Sequence, residues 1–218
     1  MPEGKPPKGG KPYSAEDRFY EAWEEDKAIR KAMTAKRIKE SANMGIRFAK
    51  RTFDTFQADR EPSAYAKCRA YADSYTDSDR NSLMIIGKCG TGKTHLAAAI
   101  ANYLLDKGIP VLFDTYSGHL HKLRADMDKD THYRERMQNI DILILDDVGR
   151  EKVSEWSQSI MFDIINYRYE HVLPIVVTSN LDTKELADYF GSAVWSRLCE
   201  MCIGAKTEGS DYRIDRDK

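Results

Sequence analysis

The stretch that decides the fold is IIGKCGTGKTHL, residues 85–96, which joins an apolar run to a segment with helical character. It contains the spacing Gly-x-x-x-x-Gly-Lys-Thr, from Gly87 to Thr94. Between a strand and a helix, this spacing predicts a phosphate-binding loop whose backbone N–H groups turn towards phosphate oxygens. A Cβ at Gly90 or Gly92 would be expected to obstruct that approach, and the following helix adds its positive dipole end. The alternative is a glycine-rich turn that binds nothing.

The loop therefore predicts a site for a nucleoside triphosphate. We expect Lys93 to reach the β- and γ-phosphates and the Thr94 hydroxyl to coordinate Mg²⁺. The residues predicted to surround the nucleotide are Gly87, Lys88, Cys89, Gly90, Thr91, Gly92, Lys93, Thr94 and His95.

A second segment, DILILDDVG at residues 141–149, ends an apolar run in two acids. Its pattern predicts a buried strand that delivers Asp146 and Asp147 to the carboxyl edge of a parallel sheet, where ligands of such sheets bind. We expect Asp146 to hold Mg²⁺, and Asp147 to orient or deprotonate an attacking water. Two adjacent acids after a strand could instead form an ordinary turn.

Two further residues are candidates for catalysis. The run IVVTSN ends in Asn180, which is expected to lie between the triphosphate and Asp147 and to position the water. Ser-Asn after a strand is also common turn chemistry. Arg197 in AVWSRLCEMC could aim a guanidinium at a γ-phosphate and stabilise charge in the transition state. An isolated arginine on a helix is, however, usually a surface residue.

The pattern of the whole chain predicts the fold class. Short apolar runs begin at residues 83, 111, 142 and 175, and longer amphipathic segments separate them. Helices are predicted over residues 62–75, 93–107, 117–138 and 154–171. Strands that are apolar on both faces and alternate with helices predict an α/β fold, with a parallel sheet covered by helices on both sides.

Composition excludes several classes of protein. The 34 Lys and Arg residues nearly balance the 35 Asp and Glu residues, so net charge indicates neither a nucleic-acid nor a membrane partner. The four cysteines are irregularly spaced, which fits a reducing cytoplasm better than a disulfide framework. The longest apolar run, LAAAIANYLL, is too short to cross a bilayer. We therefore expect a soluble cytoplasmic protein without a membrane partner.

The series GKCGTGKTHL, ILILDDVG, VVTSN and WSRL, in this order, resembles the AAA+ ATPases. Within them it is similar to the bacterial and phage helicase-loader group of the DnaC and DnaI type, with the IstB-like transposition helpers as close relatives. The segments RFAKRTFDTF and SDYR add to the likeness, which covers about residues 45–214. The resemblance implies a P-loop NTPase three-layer sandwich around a five-stranded parallel sheet.

The same resemblance implies a role for each candidate residue. Residues 87–94 would form Walker A, Asp146 and Asp147 Walker B, Asn180 sensor 1, and Arg197 an arginine finger that acts on a neighbour's ATP. One departure is Asp147, where most AAA+ members have Glu, and the shorter side chain is expected to slow hydrolysis. Few residues follow Arg197, so the C-terminal helical lid of many relatives is expected to be absent.

The sequence also predicts a division of the chain. We expect a disordered tail over residues 1–13, a helical N-terminal arm that binds a partner over 14–45, and the AAA+ ATPase domain over 46–218. The arm is acidic over residues 16–26 and basic over residues 27–51. This polarity indicates either a solvated helix whose charges complement its dipole, or a docking surface.

Basic residues between the second and third apolar runs are candidates for contact with DNA. Basic side chains with an aromatic suit the backbone and bases of single-stranded DNA, although interleaved acids fit a solvated helix equally well. The candidates are Lys122, Arg124, Tyr133, Arg134 and Arg136.

The resemblance implies an ATP-dependent loader of a replicative hexameric helicase, with ATP and Mg²⁺ bound and with self-association into a ring or helical oligomer. One alternative is a transposition helper that polymerises on DNA. A second is a nucleotide-dependent binding module with vestigial hydrolysis. A small-molecule P-loop kinase fits less well, because no arginine-rich phosphate lid follows the second acid pair.

Overall fold

A computed structural model describes residues 21–25, 27, 29, 33, 36, 39–42, 44–75, 81–127, 132–212 and 214, together with the backbone of 128 and 129. The predicted tail over residues 1–13 lies outside these residues, as does the start of the predicted arm. The described residues between 21 and 41 are helical, as expected for the arm. The division at residue 45 stays a prediction.

The core of the fold is a five-stranded sheet in the order β2-β3-β4-β1-β5. Every strand pair is parallel. The strands are β1 (Ser82–Gly87), β2 (Val111–Thr115), β3 (Ile142–Val148), β4 (Ile175–Ser179) and β5 (Cys202–Thr207). The predicted α/β fold with a five-stranded parallel sheet is thereby confirmed, and the four apolar runs are β1 to β4.

Helices connect and cover the strands. The helices after the arm are α1 (Ile46–Ala49), α2 (Pro62–Ser74), α3 (Lys93–Asp106), α4 (Tyr116–Lys129), α5 (Tyr133–Asn139), α6 (Glu155–Glu170), α7 (Thr183–Phe190) and α8 (Ser192–Met201). A short 3₁₀ turn spans Ala58–Arg60. Side chains fix two helix starts: Ser154 caps α6 and Asp182 caps α7, each in a capping box.

One predicted helix was wrong in extent. The segment expected to be continuous over residues 117–138 is divided into α4 and α5. His132 takes a left-handed backbone conformation, with φ of 55°, and α5 starts directly after it. A left-handed residue cannot continue a right-handed helix, so the chain turns there.

Each inner strand contributes side chains to two separate cores. In β3, Ile142 and Ile144 belong to the core under α2 and α3, whereas Leu143 and Leu145 belong to the core under α4 to α8. This follows from the alternation of side chains along a strand. The result is the expected three-layer arrangement, with the sheet between two layers of helices.

Arg168 of α6 is fully buried and ties several segments together. Its guanidinium donates hydrogen bonds to five backbone carbonyl oxygens, those of Met137, Gln138, Ile140, Asp141 and Pro174. Burial lowers its pKa to about 9. These bonds join the end of α5 to the residues that precede β3 and β4, so they fix the starts of two central strands.

The end of the N-terminal arm docks on the outer edge of the sheet. Ala42 is fully buried, and its carbonyl oxygen accepts a hydrogen bond of 3.0 Å from the backbone N–H of Phe113 in β2. Lys39 lies 2.6 Å from Asp106 at the end of α3. Farther up the arm, Trp23 and Met33 are exposed. The arm is therefore attached at one end and exposed along the rest of its described length.

Candidate nucleotide-binding site

The predicted phosphate loop joins β1 to α3 at the carboxyl edge of the sheet. Lys93 is the first residue of α3 and is buried. Its ammonium group donates to the carbonyl oxygens of Gly87 at 2.8 Å and Lys88 at 2.6 Å, and to Asn180 Oδ1 at 2.7 Å. The lysine thus folds over its own loop and reaches the residue after β4.

The loop glycines are required by the protein's own packing. Gly90 and Gly92 have φ of 77° and 93°, a region that side chains disfavour. A Cβ on Gly90 would overlap the carboxyl group of Asp211, and one on Gly92 would lie 2.8 Å from Cε2 of Phe56. Neighbouring side chains therefore restrict these two positions in addition to the expected approach of phosphate, which stays a prediction.

The end of β5 and the residues after it form one wall of the loop. Thr207 Oγ1 lies 2.6 Å from Thr91 Oγ1, and a Cβ on Gly87 would overlap the Thr207 carbonyl oxygen. The backbone N–H of Tyr212 donates to the Gly90 carbonyl at 3.1 Å. Thr207 was not identified from the sequence, and Tyr212 entered only through the SDYR resemblance. The local sequence around Thr207 or Tyr212 predicts neither contact, because both contacts join residues more than a hundred positions apart.

Asp146 and Thr94 are brought together beneath the loop. Asp146 is buried near the end of β3, and its Oδ1 accepts a hydrogen bond of 2.6 Å from Thr178 Oγ1. Burial raises the pKa of Asp146, and hydrogen bonds from Thr178 and Thr94 act in the opposite direction. A hydroxyl and a carboxylate side by side form the hard oxygen pair that Mg²⁺ prefers. The predicted metal residues Thr94 and Asp146 therefore fit the ion.

Asp147 lies in a distorted part of β3. Its φ is 58°, and the pairing of β3 with β4 shifts register between Leu145 and Val148. The backbone N–H of Asp147 donates to Thr178 Oγ1 at 2.9 Å, so Thr178 holds both acids. A positive φ at a non-glycine residue is strained and persists only where the surroundings enforce it. Thr178 was not identified from the sequence, where it looked like one more residue of a buried strand.

Asn180 links the loop to Asp147. Its Nδ2 donates to Asp147 Oδ1 at 3.0 Å, while its Oδ1 accepts from Lys93. The other carboxylate oxygen, Asp147 Oδ2, accepts from Arg150 Nη1 at 2.9 Å. The structure thus brings together the predicted loop, Asp146, Asp147 and Asn180, and it adds Arg150, which was not identified from the sequence.

Arg197 lies on α8 and makes its described contacts elsewhere. Its Nη1 donates to the Ala193 carbonyl at 2.9 Å, and its guanidinium lies 5.4 Å from the ring centroid of Phe162 and 5.5 Å from that of Tyr169. These partners belong to α6 and α8. A residue expected to act on a neighbour's nucleotide has no need to contact its own loop, so its role stays a prediction.

His95 turns towards the segment before α2. Its Nε2 lies 3.1 Å from the Thr52 carbonyl oxygen and 3.2 Å from Thr55 Oγ1, and its ring meets Phe56 edge-on at 5.2 Å. Burial lowers its pKa. The RFAKRTFDTF segment is therefore packed against the first turn of α3.

By contrast, the side chain of Cys89 in the loop is exposed.

The candidates for DNA contact all have partners within the chain. Lys122 pairs with Asp114 at 2.6 Å, and Arg134 pairs with Asp163 at 2.8 Å. In addition, Arg124 lies 4.8 Å from the ring of Trp156, and Arg136 donates to the Ser41 carbonyl.

Tyr133 corrects the expectation of base stacking. Its ring is buried and its hydroxyl lies 2.8 Å from Nδ1 of the fully buried His119, so it presents no face to a base in this conformation. The basic candidates stay predictions.

Comparison with known proteins identifies the family. The chain matches the model of the IstB-like ATP-binding protein over residues 11–218. It belongs to this family. The predicted place of this IstB-like protein among the AAA+ ATPases, near the helicase loaders, is thereby confirmed.

Individual relatives of the IstB-like chain agree with this placement. Phage-like element PBSX protein XkdC of Bacillus subtilis strain 168 is 28% identical over 192 residues, which is 82% of this chain and 69% of that protein. A crystal structure of the DnaC helicase loader has a TM-score of 0.68 and 27% identity, over 75% of this chain and 99% of that chain. The replication initiator DnaA bound to AMPPCP and single-stranded DNA has a TM-score of 0.64 and 26% identity, over 74% of this chain and 50% of that chain.

The arrangement in this IstB-like protein suits phosphate chemistry. A buried ammonium, a hydroxyl–carboxylate pair and a second carboxylate held by an amide meet at one edge of the sheet. These groups can bind a polyphosphate and direct a water towards it.

Among the described residues, no helix is long and apolar enough to span a membrane.

Proposed function

We propose that this chain is an ATPase that loads a replicative hexameric helicase onto single-stranded DNA. The observation that carries the nucleotide part is the convergence of Lys93, Asp146, Asp147 and Asn180 at the phosphate loop. The similarity to the DnaC helicase loader over 99% of that chain supports the loading part.

Binding of a triphosphate requires Lys93 to exchange its partners. The ammonium now donates to two loop carbonyl oxygens and to the amide oxygen of Asn180. Phosphate oxygens carry more negative charge than these neutral acceptors and form stronger charge-assisted hydrogen bonds. Lys93 therefore turns to the phosphates, and Asn180 loses one of its two partners. Thr94 and Asp146 would hold Mg²⁺, which supplies neutralisation of phosphate charge when bound.

Hydrolysis then depends on Asp147 and Asn180. The oxygen of a water attacks the γ-phosphorus, the bond from that phosphorus to the β,γ-bridging oxygen breaks, and ADP keeps the electron pair of that bond. The proton of the water passes to Asp147 and from there to solvent. Asn180 is already bonded to Asp147 and can orient the same water. The Asp147 side chain is short for this reach, so slow turnover is expected.

Assembly completes the site. Arg197 is held on the α6 surface by Phe162 and Tyr169, where a neighbouring protomer can meet it. We expect Arg197→Ala to leave nucleotide affinity within about twofold and to lower turnover about 10³-fold, as loss of a finger does elsewhere. Phosphate release and calorimetric titration measure the two quantities. Wild-type turnover in this variant would contradict the role in trans.

The N-terminal arm is the proposed contact with the helicase. Trp23, Ile29 and Met33 are exposed apolar residues on an otherwise charged helix, and buried aromatic anchors dominate many interfaces. We expect Trp23→Ala to weaken co-purification with the replicative helicase, with Lys36→Ala, an exposed residue farther along the arm, as a control. Equal binding by wild type and the tryptophan variant would contradict this contact.

A loading assay tests the function as a whole. The wild-type chain should allow the helicase to unwind a forked duplex attached to circular single-stranded DNA, and Lys93→Ala should not. If the chain stimulates no unwinding although it binds and hydrolyses ATP, the loading function is refuted and the ATPase is retained.

The family match favours a second candidate, a transposition helper. Such a protein would assemble on duplex DNA in the presence of ATP. Filaments whose length follows that of the duplex, seen by electron microscopy together with inactivity in the loading assay, would favour it. Binding of ATP without phosphate release under any partner condition would instead indicate a binding module.

A further inference from the structure

Arg150 lies at the mouth of the proposed site, and its side chain is 74% exposed. Its Nη1 donates to Asp147 Oδ2 at 2.9 Å. The guanidinium therefore lies beside the proposed catalytic acid, on the open side of the site.

The backbone that carries Arg150 is held in place. Gly149, the preceding residue, has φ of 101°, and a Cβ there would overlap the side chain of Leu181. Leu181 directly follows Asn180, so the loop after β3 packs against the end of β4. The backbone of Arg150 is thus fixed beside Asp147 and Asn180, and its side chain can move.

The bond between Arg150 and Asp147 is suited to exchange. An ion pair that is mostly exposed to solvent contributes little stability, because water screens the charges and the long side chain loses freedom. A terminal phosphate carries nearly two negative charges and accepts two parallel bonds from a guanidinium. A γ-phosphate beside Asp147 would therefore draw Arg150 away from the carboxylate.

We propose that Arg150 binds the γ-phosphate of the nucleotide held by its own chain, and that this contact makes the site prefer ATP to ADP. The inference rests on the proposed function, since it requires the nucleotide in the loop. Transfer of Arg150 frees Asp147 Oδ2 to accept a hydrogen bond from water. Arg150 then acts within one chain, whereas Arg197 acts between chains.

Calorimetric titration of the full chain tests this selectivity. Arg150→Gln keeps hydrogen-bonding capacity and removes the charge. Affinity for β,γ-methylene ATP should fall about tenfold, because a charge-assisted contact is lost, while affinity for ADP stays within about twofold. Lys152→Gln is the matched control, since it removes one positive charge from the same exposed loop and should change neither value.

Three outcomes decide the proposal. An equal loss for both nucleotides, or no loss for either, would overturn it. If the wild-type chain bound neither nucleotide, the proposed site itself would be refuted, which is a different result.

A mixing experiment separates action within a chain from action between chains. Protomers with Lys93→Ala keep Arg150 but bind no nucleotide, and protomers with Arg150→Gln bind nucleotide but lack the guanidinium. If Arg150 serves its own site, the mixture turns over ATP no faster than the Arg150→Gln protomers alone. Restored turnover in the mixture would show that Arg150 comes from the neighbour and would overturn the assignment.

Discussion

The two flanks of the phosphate loop differ in the contacts that hold them. On the packed flank, Phe56, Thr207, Asp211 and Tyr212 fill the space beside the loop glycines. On the polar flank, Lys93, Asn180, Asp147 and Arg150 form a chain of hydrogen bonds. Steric contacts fix a backbone whatever is bound, whereas hydrogen bonds to charged groups can be exchanged for bonds to a ligand. The packed flank thus shapes the loop, and the polar flank is the part that nucleotide can rearrange.

The largest expected effect is on the polar flank. Lys93→Ala should lower affinity for ATP at least about 100-fold, because charge-assisted bonds to phosphate are lost. Its effect on unfolding should be small by comparison, since only its bonds to two loop carbonyl oxygens and to Asn180 disappear. Titration calorimetry and urea unfolding measure the two quantities, and Lys107→Ala at the other end of α3 is the control. If the Lys93→Ala variant bound ATP with wild-type affinity, the proposal that the polar flank contacts the nucleotide would be refuted.

The packed flank should respond in the opposite way. Gly90→Ala should lower the free energy of unfolding by about 2 kcal/mol or more, because Cβ strain at positive φ is joined by overlap with Asp211. Gly108→Ala is a matched control, since Gly108 also has positive φ, at 81°, but nothing lies within 4 Å of its Cβ position.

In the Gly108→Ala control, backbone strain alone should lower the free energy of unfolding by about 1 kcal/mol. Equal losses in the two variants would show that packing adds nothing at Gly90.

A smaller effect is expected at Thr207. Thr207→Val removes the hydrogen bond to Thr91 but keeps the shape, and Thr91 still donates to the Lys88 carbonyl. The free energy of unfolding should fall by about 1 kcal/mol, the usual net value of one such bond. Affinity for ATP should change by less than about threefold. A loss of affinity for ATP without a loss in the free energy of unfolding would show that Thr207 belongs with the polar flank, whose residues contact the nucleotide.

A pH-dependent effect on stability is expected at Asp146. Burial raises the pKa of this carboxyl above the unfolded value, so the folded chain binds the proton more tightly. Stability from this group is therefore present at low pH and is lost as pH rises through the raised pKa. Hydrogen bonds from Thr178 and Thr94 offset part of the burial penalty.

Asp146→Asn should flatten this dependence and raise unfolding stability at neutral pH. Urea unfolding between pH 4 and pH 7 measures the change, with exposed Asp54→Asn as the control. A variant less stable than wild type at pH 7 would contradict the assignment.

The sequence predicts most of the fold because strands β1 to β4 are built on continuous apolar runs. It does not locate β5, whose residues CIGAKT mix buried and exposed positions at the sheet edge. Nor does it locate the break at His132, because the surrounding residues are polar and carry no helical period. Apolar periodicity thus identifies the elements that are buried on both faces.

The site is predicted where the motif is local. The loop, the two acids and Asn180 follow strands directly, so strand prediction places them. The roles of Thr178, Thr207 and Arg150 depend on contacts between different strands and loops. No single segment of the sequence predicts such contacts. The packing of Asp211 beside Gly90 is missed for the same cause, since Asp211 is far away along the chain.

The contact between Ala42 and Phe113 has a consequence for how copies of this chain can associate. The outer strand of an open sheet exposes unpaired backbone groups that invite another strand to join. Here one of those donors is already taken, since the N–H of Phe113 is bonded to the carbonyl of Ala42. A second sheet cannot add in continuous register past that point. Copies of this chain that associate are therefore not expected to extend the sheet beyond β2.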